Sequence, residues 1–260
     1  MPRRRDADVA IRATDLSILR TSRGGDVRVV DGASFVLPHA ATLAVMGPTG
    51  SGKSSLAAVL AGVDEPSLAV VGGEAWVGGI SVRRPGRARR ELTYFTGYLP
   101  QRAGAALPAR MTVSEVIGEP ITSRDRRVNQ RALAVRIATL LDELMLPLGA
   151  ATKYPYELSA GMRQRVAFAR TLVLEPRVLV ADDPFANLDV EVRRAARDAI
   201  LRRRARGMAT LIVTNEADVA RELDADVLVL RAGHTVAYGR GPGHLLWTPS
   251  AQADDRLIAS

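Results

Sequence analysis

Leu158-Ser159-Ala160-Gly161-Met162-Arg163-Gln164-Arg165 is followed by Val178-Leu179-Val180-Ala181-Asp182-Asp183-Pro184. Far upstream stands a third stretch, Gly47-Pro48-Thr49-Gly50-Ser51-Gly52-Lys53-Ser54. This upstream stretch sets the chemistry. It follows the short apolar run Thr42-Leu43-Ala44-Val45-Met46 and precedes a helix-forming run at 54–60. Buried strand, glycine loop and helix, in that order, make the setting in which backbone N–H groups wrap phosphate. The positive end of the helix favours the same anion. Lys53 is placed to neutralise phosphate charge and Ser54 to offer Mg²⁺ an oxygen. Gly47, Pro48, Thr49, Gly50, Ser51, Gly52, Lys53, Ser54 and the adjoining Ser55 are therefore the candidate nucleotide cradle.

The second and third motifs complete the reading. Asp182 ends an apolar run at 178–181, where a carboxylate can hold Mg²⁺ through its water shell. Ser159 and Gly161 begin a helical segment at 160–175, and Ser159 suits a helix N-cap. Gln101 follows Tyr98-Leu99-Pro100 between the phosphate loop and the Ser159 stretch. Asn187-Leu188-Asp189 lies just beyond Asp183, with Asp189 again suited to cap a helix. Val213-Thr214-Asn215-Glu216 ends a further apolar run.

Composition bounds what surrounds these motifs. At 260 residues the chain is long enough for a substantial core in one large domain or one domain with a sub-lobe. An apolar fraction of 47% is ordinary for a globular chain. No apolar run nears the ~20 residues that cross a bilayer. The basic start, Met1-Pro2-Arg3-Arg4-Arg5-Asp6, is followed by no apolar signal core, so no secretion is expected. Zero cysteines exclude disulfides, thiol catalysis and cysteine-held metals, and suggest a cytoplasmic setting. The net charge is +8, and only Lys53 and Lys153 of the 36 cationic residues are lysines. The arginines are spread along the chain without aromatic platforms beside them, so no nucleic-acid partner is expected. The runs at 83–90 and 202–206 read as solvated loop and helix faces.

Turn signals and periodicity organise the rest. Residues 9–19 and 27–37 read as strands, residues 68–100 as short strand pieces with an Arg-rich connector, and 112–146 as helical, with Leu133, Ile137, Leu140, Leu141 and Leu144 at helical spacing. An amphipathic helix is expected at 191–206, a buried strand at 211–214, and a strand pair at 227–230 and 235–238 around Gly233. The tail after Thr248 is polar. Strands alternating with helices predict an α/β core with a mostly parallel sheet. A small antiparallel β subdomain and a helical subdomain are added to it. The expected division is a single domain over 1–260, with the catalytic core at 1–101 and 166–260 and a helical lobe at 102–165.

Taken together, the three motifs resemble the ATP-binding cassette (ABC) family of P-loop NTPases, over nearly the whole chain. The likeness is strongest to the ATPase subunits of peptide and nickel importers. Val30-Asp31-Gly32-Ala33-Ser34-Phe35, Leu107-Pro108-Ala109-Arg110-Met111-Thr112-Val113, Gly118-Glu119-Pro120, Tyr154-Pro155-Tyr156-Glu157-Leu158 and Val236-Ala237-Tyr238-Gly239 carry it. Longer members end in a Cys-bearing extension that this sequence does not show, which fits the short type. The resemblance implies ATP and Mg²⁺ as ligands and ATP hydrolysis as the reaction. Ser54, Gln101 and Asp182 would attend the metal. Gln101, Asp183 and Asn215 would fill the catalytic positions, and Ser159, Ala160, Gly161 and Asp189 would meet nucleotide bound by a second cassette subunit. Its implied partners are that second ATPase subunit, transmembrane permease subunits and an extracytoplasmic substrate-binding protein. The implied location is the cytoplasmic face of the cell membrane. A soluble, non-transport cassette in a regulatory or enzyme complex is the rival expectation.

Three positions depart from the family pattern. Asp183 stands where a Glu usually orients the attacking water; one methylene sets the carboxylate back by about 1.5 Å, and about 1 Å of misplacement can cost ~100-fold in rate. Asn215 stands where the family has His and cannot carry charge. Ala160 replaces the first glycine of the signature, adding a methyl group near the phosphate. These departures point to a pair with unequal sites, in which this chain's own site is slow; a homodimer with a sufficient ATPase is the alternative. No aromatic residue lies at 20–34 to stack on adenine, leaving Val27 or Arg28 as candidates. His39, His234 and His244 read as surface residues, the last two in glycine-rich loops.

Overall fold

A computed structural model describes residues 9–22, 24–83, 86–125, 127–186 and 188–247. The expectations for the basic start, for Asn187 and for the tail after Thr248 lie outside the described residues.

The described residues begin with two long antiparallel strands, β1 (Val9–Ser22) and β2 (Gly25–Pro38). β3 (Thr42–Met46) then leads through the glycine loop into α1 (Lys53–Leu60). β4 (Leu68–Val77) and the short β5 (Ile80–Ser81) return to the first pair, making a four-stranded sheet in the order β2-β1-β4-β5. The Arg-rich connector contains a helix, α2 (Arg87–Phe95), which runs straight into β6 (Thr96–Leu99). Only Leu92 of α2 is buried, so its apolar signal was too thin to read from spacing.

The helical region holds α3 (Val113–Thr122) and α4 (Gln130–Glu143) as separate helices rather than one run. Each has its own start signal. Thr112 and Glu115 form a reciprocal capping box on α3, and Asn129 caps α4 through Ala132 N–H. α5 (Ala160–Leu172), β7 (Val178–Asp182), α6 (Val190–Arg204), β8 (Ala209–Val213), α7 (Ala217–Glu222), β9 (Asp226–Arg231), β10 (His234–Arg240) and β11 (Leu245–Trp247) follow. His234 therefore begins a strand, correcting its placement in a loop. His244 lies in the turn before β11 and His39 in the turn after β2.

β11-β10-β9-β3-β8-β7-β6 form a seven-stranded sheet. β9, β3, β8, β7 and β6 are mutually parallel, and β10 and β11 close one edge as antiparallel strands. The sheet is covered on both faces, so its strands read as continuous apolar runs. Alternation within β7 shows the two sides. Val178 and Val180 pack with Leu56 and Leu60 of α1 and with Ile11, Leu16 and Leu37 of the antiparallel sheet. Leu179 and Ala181 face Val166 and Ala169 of α5 and Ile200 of α6, in a core continuous with Val116, Ile117, Leu140 and Leu141 of α3 and α4. The predicted helical residues thus share one apolar cluster with the sheet.

Arginines join these layers. Arg203 meets Glu143 with both its Nη1 and Nη2 atoms, each at 2.8 Å, and Arg202 Nη2 adds a bond of 2.7 Å, tying α6 to the end of α4. Arg204 donates to the Leu223 carbonyl. Within the 202–206 run, Arg202, Arg203 and Arg204 thus also tie α6 to neighbouring elements, while Arg206 stays on the solvated face that the composition predicts. Arg170 Nη2 on α5 reaches Glu119 on α3 at 2.6 Å. Among the described residues no helix is long and apolar enough to cross a membrane.

Candidate functional site

The carboxyl ends of the parallel strands meet at one cleft, where open α/β sheets bind their ligands. β3 delivers the glycine loop, β6 delivers Gln101, β7 delivers Asp182 and Asp183, and β8 delivers Thr214, Asn215 and Glu216. The cleft has a volume of about 410 Å³. Thr49, Gly50, Ser51, Gly52, Lys53, Ser54 and Ser55 line it together with all six of those residues, and with Arg20, Val29 and Val213.

The loop's shape demands glycine at two points. Gly47 and Gly52 have φ of 137° and 98°, and a Cβ on them would lie 1.9 Å from the Leu230 carbonyl oxygen and 2.0 Å from that of Val29. Gly52 also starts α1 without a side-chain cap, which leaves the helix's first amides facing the cleft. Lys53 is folded into the loop. Its Nζ donates to Gly47 O at 2.7 Å, Pro48 O at 2.8 Å and Ser51 Oγ at 3.4 Å. Burial lowers the Lys53 pKa, and the charge of Asp182 works against that shift.

The carboxylates divide by environment. Asp182 is almost fully buried and its side chain accepts a hydrogen bond from Ser54. Burial raises its pKa, while Ser54 and the Lys53 charge oppose the rise. Asp183 is raised by burial first and then by the charges of Glu216 and Asp182, against a hydrogen bond from the Gln101 amide. Its backbone sits in the left-handed region at φ 53°, held by an N–H bond to Val213 O at 2.9 Å. That strained turn faces a cleft, a setting typical of functional residues. Tyr98, on the strand leading to Gln101, is pushed up to about 12 by burial and by Asp182 and Glu65.

Asn215 accepts a 3.3 Å hydrogen bond from Gly47 N–H through Oδ1, so it touches the loop itself. Glu216 stands next to it, and its Oε2 accepts from Arg193 Nη1 at 2.7 Å. Ser54 and Asp182 are two hard oxygen donors in contact at the floor, a donor set suited to Mg²⁺, which prefers oxygen and keeps several waters.

Ser159, Ala160, Gly161 and Asp189 are not on the walls of this cleft. Ser159 Oγ accepts from Met162 N–H at 3.2 Å and Asp189 Oδ1 from Val192 N–H at 2.9 Å; each caps its own helix. Ser159 and Ala160 are exposed at the start of α5 and Asp189 at the start of α6. The signature is joined to the Gln101 side of the cleft by Gln164. That buried side chain accepts from Gly104 N–H at 3.1 Å, just beyond Gln101.

Val27 is 58% exposed and Arg28 is ion-paired with Asp31, and neither lines the cleft. The side wall next to the loop is made by Arg20 and Val29 instead. Arg20 Nη1 bonds Glu65 at 2.9 Å and Nη2 bonds Ser55 Oγ at 3.2 Å, which fixes the guanidinium plane. Arg20, Glu216, Gln164 and Arg193 escaped sequence reasoning. Glu216 and Gln164 stand within quoted motifs without a role. Arg20 and Arg193 are single polar residues whose importance depends on partners remote in sequence.

A glycine loop on the central strand β3, two aspartates at the end of β7 one strand away across β8, and a lysine folded into the loop define a P-loop nucleotide-binding protein. The ABC transporter family profile matches residues 30–186, more than half of the chain, and the chain belongs to that family. It is 32% identical over 246 residues to the oligopeptide transport ATP-binding protein OppD of Mycobacterium tuberculosis, covering 90% of this chain and 39% of that one. The Fe(3+) ions import ATP-binding protein FbpC of Pseudomonas fluorescens is 34% identical, with 88% and 62% covered. The chain thus spans less than two thirds of these relatives' lengths. Among solved structures, the dimeric post-hydrolysis state of the ATP-binding cassette MJ0796 bound to ADP and Pi superposes with a TM-score of 0.79 at 22% identity, covering 88% of this chain and 98% of that one. The cbiO1 cassette of Clostridium perfringens gives 0.74 at 20% identity, with 97% and 94% covered. The fold is that of an ABC cassette.

Proposed function

We propose that this chain is the ATP-binding subunit of a membrane importer of the peptide or nickel type, and that it works as one of two cassettes. The observation that carries the reading is a division of the motifs. The phosphate loop, Gln101, Asp182, Asp183 and Asn215 share one cleft, while Ser159, Ala160, Gly161 and Asp189 stand outside it on exposed helix starts. A helix start with a free face is suited to cap a phosphate held by another subunit. The site is complete only when two cassettes face each other.

In this reading the loop amides and Lys53 hold the β- and γ-phosphates. Lys53 exchanges its bonds to Gly47 O and Pro48 O for phosphate oxygens. Ser54 and Asp182 would hold Mg²⁺, with Gln101 beside it. The metal's contribution is charge neutralisation on the phosphates. Residues 102–165 act as the helical lobe that presents the signature, and 1–101 with 166–260 as the catalytic core. The partners are a second cassette subunit, transmembrane permease subunits and an extracytoplasmic binding protein that selects the cargo. The working location is the cytoplasmic face of the membrane. Relatives named for oligopeptide, iron and sulfate import support an importer. The peptide-importer segments of the sequence favour the peptide or nickel class.

Asp183 and Asn215 make this chain's own site slow, and the pair unequal. The test is turnover of MgATP by the chain beside an Asp183→Glu, Asn215→His double variant. A gain of at least ~10-fold, about 1.4 kcal/mol of barrier, is the expected result. Ordinary turnover by the wild type with no gain in the variant would replace this reading by a competent homodimer.

A further inference from the structure

We propose that the recess at the amino ends of β3, β7 and β8 is a second anion site, which takes a small soluble ligand bearing phosphate. It lies at the end of these parallel strands opposite the nucleotide cleft and shares no lining residue with it. It does not depend on the nucleotide reading above.

The recess has a volume of about 420 Å³, within the range of small-molecule sites. Three loops build it. His39 comes from the turn before β3, Arg177 from the link into β7, and Arg206, Gly207 and Met208 from the turn before β8. Backbone bonds hold these loops together. Ala40 N–H donates to Gly207 O at 3.3 Å, Ala209 N–H to Arg177 O at 2.9 Å, and Arg177 N–H to Phe95 O at 2.8 Å. Met208 is buried and gives the recess an apolar wall.

The balance of charge decides what the recess attracts. Three guanidinium groups line it, those of Arg177, Arg203 and Arg206, against one carboxylate, that of Glu175. Arg203 is matched by Glu143 at 2.8 Å, which also serves Arg202, and Glu175 is matched by Arg136 at 3.3 Å. Arg177 and Arg206 are left with no carboxylate among the described residues. Phe95 steadies Arg177, whose guanidinium carbon lies 5.1 Å from the ring centroid. Planar guanidinium forks match phosphate oxygens, and two of them around one hollow suit a diphosphate. A bilayer is met by protruding side chains, whereas these surround a hollow between loops, so the occupant is soluble. Two wall residues also reach α4, Arg203 through Glu143 and Glu175 through Arg136. The bound anion therefore sits at the joint between the sheet and the helical lobe.

The experiment is calorimetric titration of inorganic pyrophosphate, without Mg²⁺, into the full chain carrying Lys53→Ala, which silences the phosphate loop. Thermal melting shows that each variant is folded. One site with a Kd below about 1 mM is expected. Adding Arg206→Ala or Arg177→Ala is expected to weaken it at least ~10-fold, through the loss of a charge-assisted contact. Arg206 has no side-chain partner to lose, so that variant keeps its fold. Glu175→Gln removes the one negative charge on the wall and is expected to tighten binding about 3-fold, a gain that general damage does not produce. No pyrophosphate binding in the Lys53→Ala chain, or an affinity unchanged by Arg206→Ala, overturns the site. Binding to phosphatidylglycerol vesicles through Arg206, with pyrophosphate not bound, overturns the soluble ligand and gives this face to a membrane instead.

Discussion

Single residues in the cleft differ in what they tolerate, and the differences are measurable. Gly50 and Gly52 look alike in sequence. A Cβ on Gly50 meets no atom within 4 Å, whereas one on Gly52 meets the Val29 carbonyl oxygen at 2.0 Å. Gly52→Ala is expected to cost about 3 kcal/mol, from overpacking and from a left-handed backbone. Gly50→Ala should cost about 1 kcal/mol, from its positive φ alone. Denaturant melts of the two variants check this, and equal losses would refute it. Arg20 offers a second test. Its guanidinium, fixed by Glu65 and Ser55, is the planar group on the side wall where an aromatic residue is missing. Arg20→Ala is expected to weaken MgATP binding about 5-fold, the scale of a cation–π contact of about 1 kcal/mol, and to leave tripolyphosphate binding unchanged. Calorimetric titration with both ligands separates base recognition from phosphate recognition. These residue-level facts were only half legible. The loop's glycines, Lys53 and Asp182 were readable because they recur at fixed offsets. Arg20 was not, because its role rests on Glu65 and Ser55, which the fold alone brings near it.

At the level of elements, the joint between α4 and α6 is the most exacting. Glu143 is drawn two ways. Burial alone would raise its pKa, but the hydrogen bonds and charges of Arg203 and Arg202 outweigh it and hold the group below the usual carboxylate value. The folded pKa lies below the unfolded one. The pair's stabilisation is therefore fully present above the ordinary carboxylate pKa near 4.5 and is lost as pH falls through the depressed folded value. Glu143→Gln leaves Arg203, whose side chain is only 16% exposed, without its anion. It should cost roughly 2 kcal/mol at pH 7, by denaturant unfolding, with the gap from wild type narrowing toward pH 3. A gap that stays constant with pH would show that packing, not charge, is the cause. Helix and strand positions were largely legible, since α3, α4, α5 and β7 follow apolar periodicity and caps. α2 and α7 were missed because short or thinly buried helices leave too little pattern to count.

For the whole molecule the decisive feature is that one chain carries a cleft and, apart from it, a helix start suited to another chain's cleft. Ser159→Ala is therefore expected to leave MgATP affinity of the dilute chain within about 2-fold of wild type, whereas Lys53→Ala should weaken it at least ~100-fold. Equilibrium binding of a fluorescent nucleotide measures both. A large loss in Ser159→Ala would place the signature in its own chain's site and sink the two-cassette reading. The sheet order makes this division unavoidable. β3 lies between β8 and β9, so the loop after β3 meets the ends of β7 and β8, while α5 begins beyond β6 on the helical side.

The sequence by itself determined the fold class, the phosphate loop, the carboxylate strand end and the order of the motifs. These are set by short-range rules: period, spacing and the conformational freedom of glycine. Only the tertiary structure decided that Arg20 and Val29, not Val27 and Arg28, wall the cleft. It alone placed Asn215 on Gly47, paired Arg202 and Arg203 with Glu143, and set Glu216 at the cleft with its carboxylate on Arg193. Each of those facts is a contact between residues far apart in the chain, and such contacts exist only once the strands have paired and their ends have come together.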